Sequence, residues 1–90
     1  MKIERKTTLL AIYRTKDLYE AAALTAAGCN IRNLEPADGF YYFNFSDLET
    51  CEKVSNSYWN NSLMLPAKSL ADAIRSLKDR LFASKQRGEG

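Results

Sequence analysis

The segment Thr7-Thr8-Leu9-Leu10-Ala11-Ile12-Tyr13 is β-branched and apolar and too short for a helix, so it predicts a first strand. A helix start follows. Thr15 stands at an N-cap position, and Asp17 falls in the first turn, where its charge meets the positive end of the helix dipole. The predicted helix runs from Lys16 to Ala27 and stops at Gly28, which supplies the left-handed residue after the C-cap. Leu18, Ala22 and Thr25 form its inward stripe, with Ala21 and Leu24 beside them. Cys29 to Glu35 reads as a second strand, and Pro36-Ala37-Asp38-Gly39 as a turn built on proline's fixed φ and glycine's freedom at positive φ. The third strand is Phe40-Tyr41-Tyr42-Phe43-Asn44-Phe45. Alternation sends Tyr41, Phe43 and Phe45 to one face and Phe40, Tyr42 and Asn44 to the other. Both faces are largely aromatic, which predicts a central strand covered on both sides.

Ser46-Asp47-Leu48-Glu49 has the form of a capping box, with Ser46 as N-cap and Glu49 three positions on. The helix it opens carries Leu48, Cys51, Val54, Ser55 and Tyr58 on one face and ends around Asn60-Asn61-Ser62. Leu63-Met64-Leu65 is extended because Pro66 excludes the helical region from the residue before it, and Pro66 then opens a last helix. That helix has an apolar seam at Ala67, Leu70, Ile74, Leu77 and Leu81, spaced 3, 4, 3 and 4. This heptad seam is too short for an independent coiled coil, so it needs a surface to bury against. The order is β-α-β-β-α-(β)-α: an α+β fold with a three-stranded, mainly antiparallel sheet in order 1-3-2, packed by two helices, with a third helix at the C-terminus. Residues 1–83 form a single domain and residues 84–90 a polar, flexible tail.

Ninety residues allow one small domain that buries roughly 60–65% of its unfolded surface, a size at which partners often add stability. An apolar fraction of 46% against 27% charged residues describes a folding chain rather than a disordered one. No histidine is present, which removes the commonest general base and the commonest metal ligand together. Cys29 and Cys51 lie far apart with no C-x-x-C spacing, and read as free thiols of a reducing compartment. No apolar run reaches the ~20 residues that cross a bilayer, and the stretch behind the basic N-terminus is too short for a signal sequence. A cytoplasmic protein without membrane contact is expected. The net charge of +2 is segregated: residues 1–16 carry +4, residues 17–52 carry −6, and residues 53–90 carry +4. Such a pattern suits self-association, nucleic-acid contact or simply solubility.

Two resemblances follow from these residues. Thr15-Lys16-Asp17-Leu18, Ala21-Ala22, Leu24, Gly28, Phe43-Asn44-Phe45, Tyr58, Pro66 and Leu77-Lys78, in that order and spacing, resemble a family of small uncharacterised proteins of bacteria and their phages. That resemblance implies a phage or mobile-element context and assigns no chemistry. Asp38-Gly39-Phe40-Tyr41-Tyr42-Phe43-Asn44-Phe45 resembles the aromatic octamer on the third strand of RNA-recognition motifs, whose element order is also similar. Gly39, Phe40, Tyr42 and Phe45 fit that octamer. Asp38 stands where the family places Lys or Arg, Tyr41 stands where it places Gly or Ala, and the first strand lacks the matching aromatic.

No nucleophile with its base, no phosphate loop and no metal-ligand spacing occurs, so an enzyme is not expected, nor a metal or cofactor. Asp47 and Glu49 have a sufficient role at the start of the second helix. The candidate interaction surface is Phe40, Tyr42, Trp59, Arg75 and Lys78. Phe40 and Tyr42 are expected to lie beneath the last helix or a second subunit, because its seam and their rings are two apolar surfaces in need of cover. Trp59, one position beyond the second helix's stripe, is an interface anchor or packs on Leu63 or Met64. Lys68–Asp72 and Arg75–Asp79 pair along the last helix and partly neutralise its basic face. The expected function is a small non-catalytic protein-interaction module, a homo-oligomer or the binder of a host protein. The alternative is a single-stranded nucleic-acid or nucleotide binder that stacks bases on Phe40 and Tyr42.

Overall fold

The computed structural model describes residues 11–88. Its order is β1 (Ile12–Thr15), α1 (Leu18–Ala26), β2 (Ile31–Ala37), β3 (Phe40–Ser46), α2 (Leu48–Trp59) and α3 (Ala67–Gly88). The strands form an antiparallel sheet in order β1-β3-β2, with Tyr13 opposite Phe45, Arg14 opposite Asn44, Leu34 opposite Phe43 and Glu35 opposite Tyr42. The fold is therefore α+β with the aromatic strand in the centre, as its two-faced pattern predicts. The expected first strand began at Thr7, and its part before Ala11 lies outside the described residues. Leu63-Met64-Leu65 runs as irregular chain and forms no strand. The last helix continues through Ser84 and Lys85 to Gly88, past the boundary expected at residue 83.

Both expected caps move toward the C-terminus, for one reason: the sheet takes the residue that was to cap. Thr15 ends β1 opposite Phe43, and Asp17 caps α1 by accepting from the Glu20 N–H at 2.9 Å. Ser46 ends β3 opposite Ile12, and Asp47, at φ 69°, caps α2 by accepting from the Thr50 N–H. The turn also shortens. Pro36 and Ala37 belong to β2, where proline is tolerated because β2 is an edge strand, and Asp38-Gly39 alone closes the hairpin with Gly39 at φ 88°. Gly28, at φ 103°, follows the C-cap Ala27 as expected.

All three helices lie on one side of the sheet. Phe43 and Phe45 point toward them and join Ala21, Ala22, Leu24, Cys51, Ala73 and Leu77 in one buried cluster. Leu70, Ile74 and Leu81 of the last helix's seam pack against the same cluster, while Ala67 is exposed. The alanines of α1 explain the arrangement. Ala21, Ala22 and Ala23 are buried to within 1% and let α2 and α3 approach α1 from either side. The seam thus finds its cover in α1 and not in the face that bears Phe40 and Tyr42. The molecule measures 44 × 31 × 17 Å, a depth that suits one sheet and one layer of helices.

Both thiols are free. Cys51 is fully buried and donates to the Ser46 carbonyl, whereas Cys29 is only half-buried. Burial, reinforced by neighbouring Cys29, pushes the Cys51 thiol from the ordinary 9.0 up to about 12. A group whose pKa rises on folding stabilises the fold fully below its unfolded pKa and loses that contribution as pH rises through the folded one. Stability is therefore expected to fall across the window from 9.0 to about 12. Urea unfolding across that window should show a flatter decline in Cys51→Ala, which starts from lower stability at neutral pH because its cavity costs packing.

Candidate functional site

The side of β3 away from the helices presents Phe40, Tyr42 and Asn44. Phe40 and Tyr42 meet edge to face, with ring centroids 5.1 Å apart at 78°. Two cations from the other side of the sheet's centre lie on them. The Arg14 guanidinium carbon, from β1, stands over the Tyr42 ring 4.6 Å from its centroid, and the Lys16 ammonium stands over Phe40 at 4.9 Å. Such cation–π contacts are worth ~0.5–1 kcal/mol at exposed positions. Arg14 also donates from Nη2 to both oxygens of Glu35 on β2, at 3.0 and 3.3 Å, so a single ion pair crosses the central strand. Both partners are substantially solvated, which places the pair in the range of ~0–1 kcal/mol. Cover on Tyr42 is thus supplied from β1 and on Phe40 by Lys16 just after it, and α3 comes near this face only at the hairpin end.

Asn44 completes the patch. It is only 9% exposed, and its amide Nδ2 donates to Glu35 Oε1 at 3.1 Å. A carboxylate only accepts, so this contact fixes the amide's orientation and turns Oδ1 the other way. Among the described residues that buried oxygen has no hydrogen-bond partner. At the hairpin end of the face, Lys85 of α3 reaches Phe40 and, with Lys16, Leu18 and Leu81, lines a hollow of about 190 Å³. Among the described side chains, Lys85 is the basic residue of the last helix that lines a hollow with the aromatic strand.

The other sequence candidates lie elsewhere. Arg75 and Lys78 are exposed on α3, in the helical layer, and Arg75 pairs with Asp72 at 3.7 Å rather than with Asp79. Lys68–Asp72 forms as expected at 3.0 Å. Trp59 is 61% exposed at the end of α2 and meets Tyr58 edge-on, while Met64 is 88% exposed and covers nothing. The fold therefore unites Phe40 and Tyr42 and leaves Trp59, Arg75 and Lys78 apart from them.

One cluster carries no sequence signature. Glu20 of α1 is 4% exposed, on the helical side of the sheet. Its carboxylate accepts from the hydroxyls of Tyr13 at 2.5 Å, Ser55 at 2.6 Å and Thr15 at 2.7 Å. Burial alone would raise its pKa; the donors Ser55, Tyr13 and Thr15, with a contribution from the Trp59 indole, outweigh burial and hold it below 4.5. Tyr13 is raised in turn, by burial and by the carboxylate it bonds. The three hydroxyls come from two strand residues and a helix, so the carboxylate ties β1, α1 and α2 together.

Among the described residues no group of His, Cys, Asp and Glu has the form of a metal site, and no helix is long and apolar enough to cross a membrane. Comparisons with family models, with curated proteins and with solved structures find no match to this chain.

Proposed function

We propose that this chain is a small, non-catalytic module that binds single-stranded nucleic acid on the helix-free face of its sheet. One observation carries the reading: α3 buries its seam against α1, so Phe40 and Tyr42 stay on a face that α3 comes near only at the hairpin end. Planar rings accept any base by stacking, and Arg14, Lys16 and Lys85 stand close enough to meet phosphates on either side of a stacked base. The resemblance of residues 38–45 to the octamer of RNA-recognition motifs supports the same reading, since in that family the residues that match Phe40 and Tyr42 stack bases. Asp38 and Tyr41 depart from the octamer, and Tyr41 does so on the helical side, where it does not meet the ligand. The free thiols of Cys29 and Cys51 support a cytoplasmic setting.

Fluorescence anisotropy with labelled single strands of mixed sequence, in DNA and in RNA, tests this reading. Binding is expected at low salt and should weaken as salt rises, with a log–log slope of roughly −2 for three phosphate contacts. Absence of binding at low salt overturns the reading.

A second reading, a protein-interaction module that pairs with itself or with a host protein, rests on a different observation. Trp59 and Met64 stand exposed away from the sheet face, and tryptophan is a frequent interface anchor. A mass that rises with concentration in static light scattering, and ceases to do so in Trp59→Ala, would favour it. The resemblance to phage-borne proteins makes accessory work on a host component the natural setting for either reading.

A further inference from the structure

Resting on the single-strand reading, we infer that the sheet face selects guanine, and that Arg14 holds guanine's place while the face is empty. In the free protein a planar guanidinium lies over Tyr42 and reaches both oxygens of Glu35 through one nitrogen, Nη2, at 3.0 and 3.3 Å. The Watson–Crick edge of guanine can meet the same two oxygens with a donor for each. Its N1–H and N2 amine are neighbouring donors on a planar N–C–N unit, and they match the two oxygens of a carboxylate. Adenine and cytosine each place a ring acceptor beside their amine, and uracil has one N–H between two carbonyls. Only guanine meets Glu35 with two adjacent donors while its ring lies on Tyr42.

The rest of the patch agrees. Asn44 Nδ2 donates to Glu35 Oε1 at 3.1 Å and holds the carboxylate in place beside Tyr42, so the recognition edge of the face is an acceptor. Its donors, Arg14 and Lys16, are charged and suit phosphate instead. A base that takes the carboxylate frees Arg14 to swing from Tyr42 to the backbone of the same strand. The ion pair it leaves is exposed and weak, so the exchange is easy. A partner protein's arginine could fill the same place, but Arg14 and Lys16 would repel it, which favours the neutral base.

The experiment uses the full chain and fluorescein-labelled uridine octamers with one central guanosine, inosine, adenosine, cytidine or uridine. The guanosine octamer is expected to bind about tenfold more tightly than the uridine octamer, the usual scale for one bidentate base contact. Inosine, which keeps N1–H and lacks the N2 amine, should fall between them. In Glu35→Gln the preference should vanish while binding of the uridine octamer persists, with an unchanged circular dichroism spectrum as the check on folding. Equal binding of the five octamers overturns the inference and leaves the single-strand reading standing, as does a preference that survives Glu35→Gln. The inosine comparison decides the matter even if that variant does not fold. Failure of every octamer to bind at low salt overturns both, and capture of an arginine-bearing peptide in their place would assign the face to a protein partner.

Discussion

Glu20→Ala is expected to destabilise the fold by about 3–5 kcal/mol, the largest effect of any polar substitution among the described residues. The carboxylate gathers three hydroxyls in a setting only 4% exposed, so its removal takes their shared acceptor in one step and leaves Tyr13 and Ser55 only each other and Thr15 only the Asp17 N–H. For a domain this small, each kcal/mol shifts Tm by ~4–8 °C, and a fall of well over ~10 °C should appear in a thermal melt. Glu20→Gln keeps the size and one accepting oxygen but points an amine at a site that expects an acceptor, so about half the loss is expected. The sign of the pH dependence follows from the lowered pKa. A depressed carboxylate stabilises the fold above its unfolded pKa of 4.5 and loses that contribution as pH falls through the folded value. Stability of the unaltered protein should thus decline below pH 4.5, and part of that decline should be missing in Glu20→Gln. Equal acid sensitivity in both would mean that the carboxylate's partners do not hold it ionised.

Glu20 also marks where sequence reading stops. Its signal is a charge four residues before Leu24, on the side of α1 that is otherwise apolar. Nothing in the spacing of Tyr13, Thr15 and Ser55 says that two positions on β1 and one on α2 converge on it, because the convergence is created by packing. Period-based reading found the elements themselves. The alternation in β3 separated Phe43 and Phe45 from Phe40 and Tyr42, and the strand order followed from placing those aromatics centrally.

The boundaries shifted where two structures competed for one residue. Thr15 and Ser46 are good caps, but each can also add a ladder pair to β1 or β3, and an aspartate stands next in line to cap in both cases. Pairing won because Asp17 and Asp47 can cap in their stead, Asp47 in the left-handed conformation that aspartate tolerates better than most residues. The last helix posed a different problem. Periodicity shows that Leu70, Ile74, Leu77 and Leu81 need cover and is silent on which of two apolar surfaces receives them. The run of small residues Ala21-Ala22-Ala23 predicts close packing without naming its partner, and a helix without bulk on its flank offers closer contact than a sheet face studded with rings. That choice leaves the aromatic face available to something other than this chain's helices.

The double variant Phe40→Ala/Tyr42→Ala is accordingly expected to lower single-strand affinity by about a hundredfold or more, since each stacked base is worth ~1–3 kcal/mol. Each single variant should lose about tenfold on the same scale. The fold should survive, because the buried aromatics are Phe43 and Phe45 on the opposite side of β3, and Phe40 and Tyr42 are only half-buried. Arg75→Ala and Lys78→Ala supply the contrast. Both charges sit on α3 in the helical layer, so each should leave oligonucleotide affinity within about twofold, a change no larger than a distant exposed charge produces through screened solvent. The pattern discriminates between a stacking face and a diffuse basic surface. A diffuse surface would lose affinity in proportion to charge removed and would ignore the loss of two uncharged rings, whereas a stacking face does the reverse.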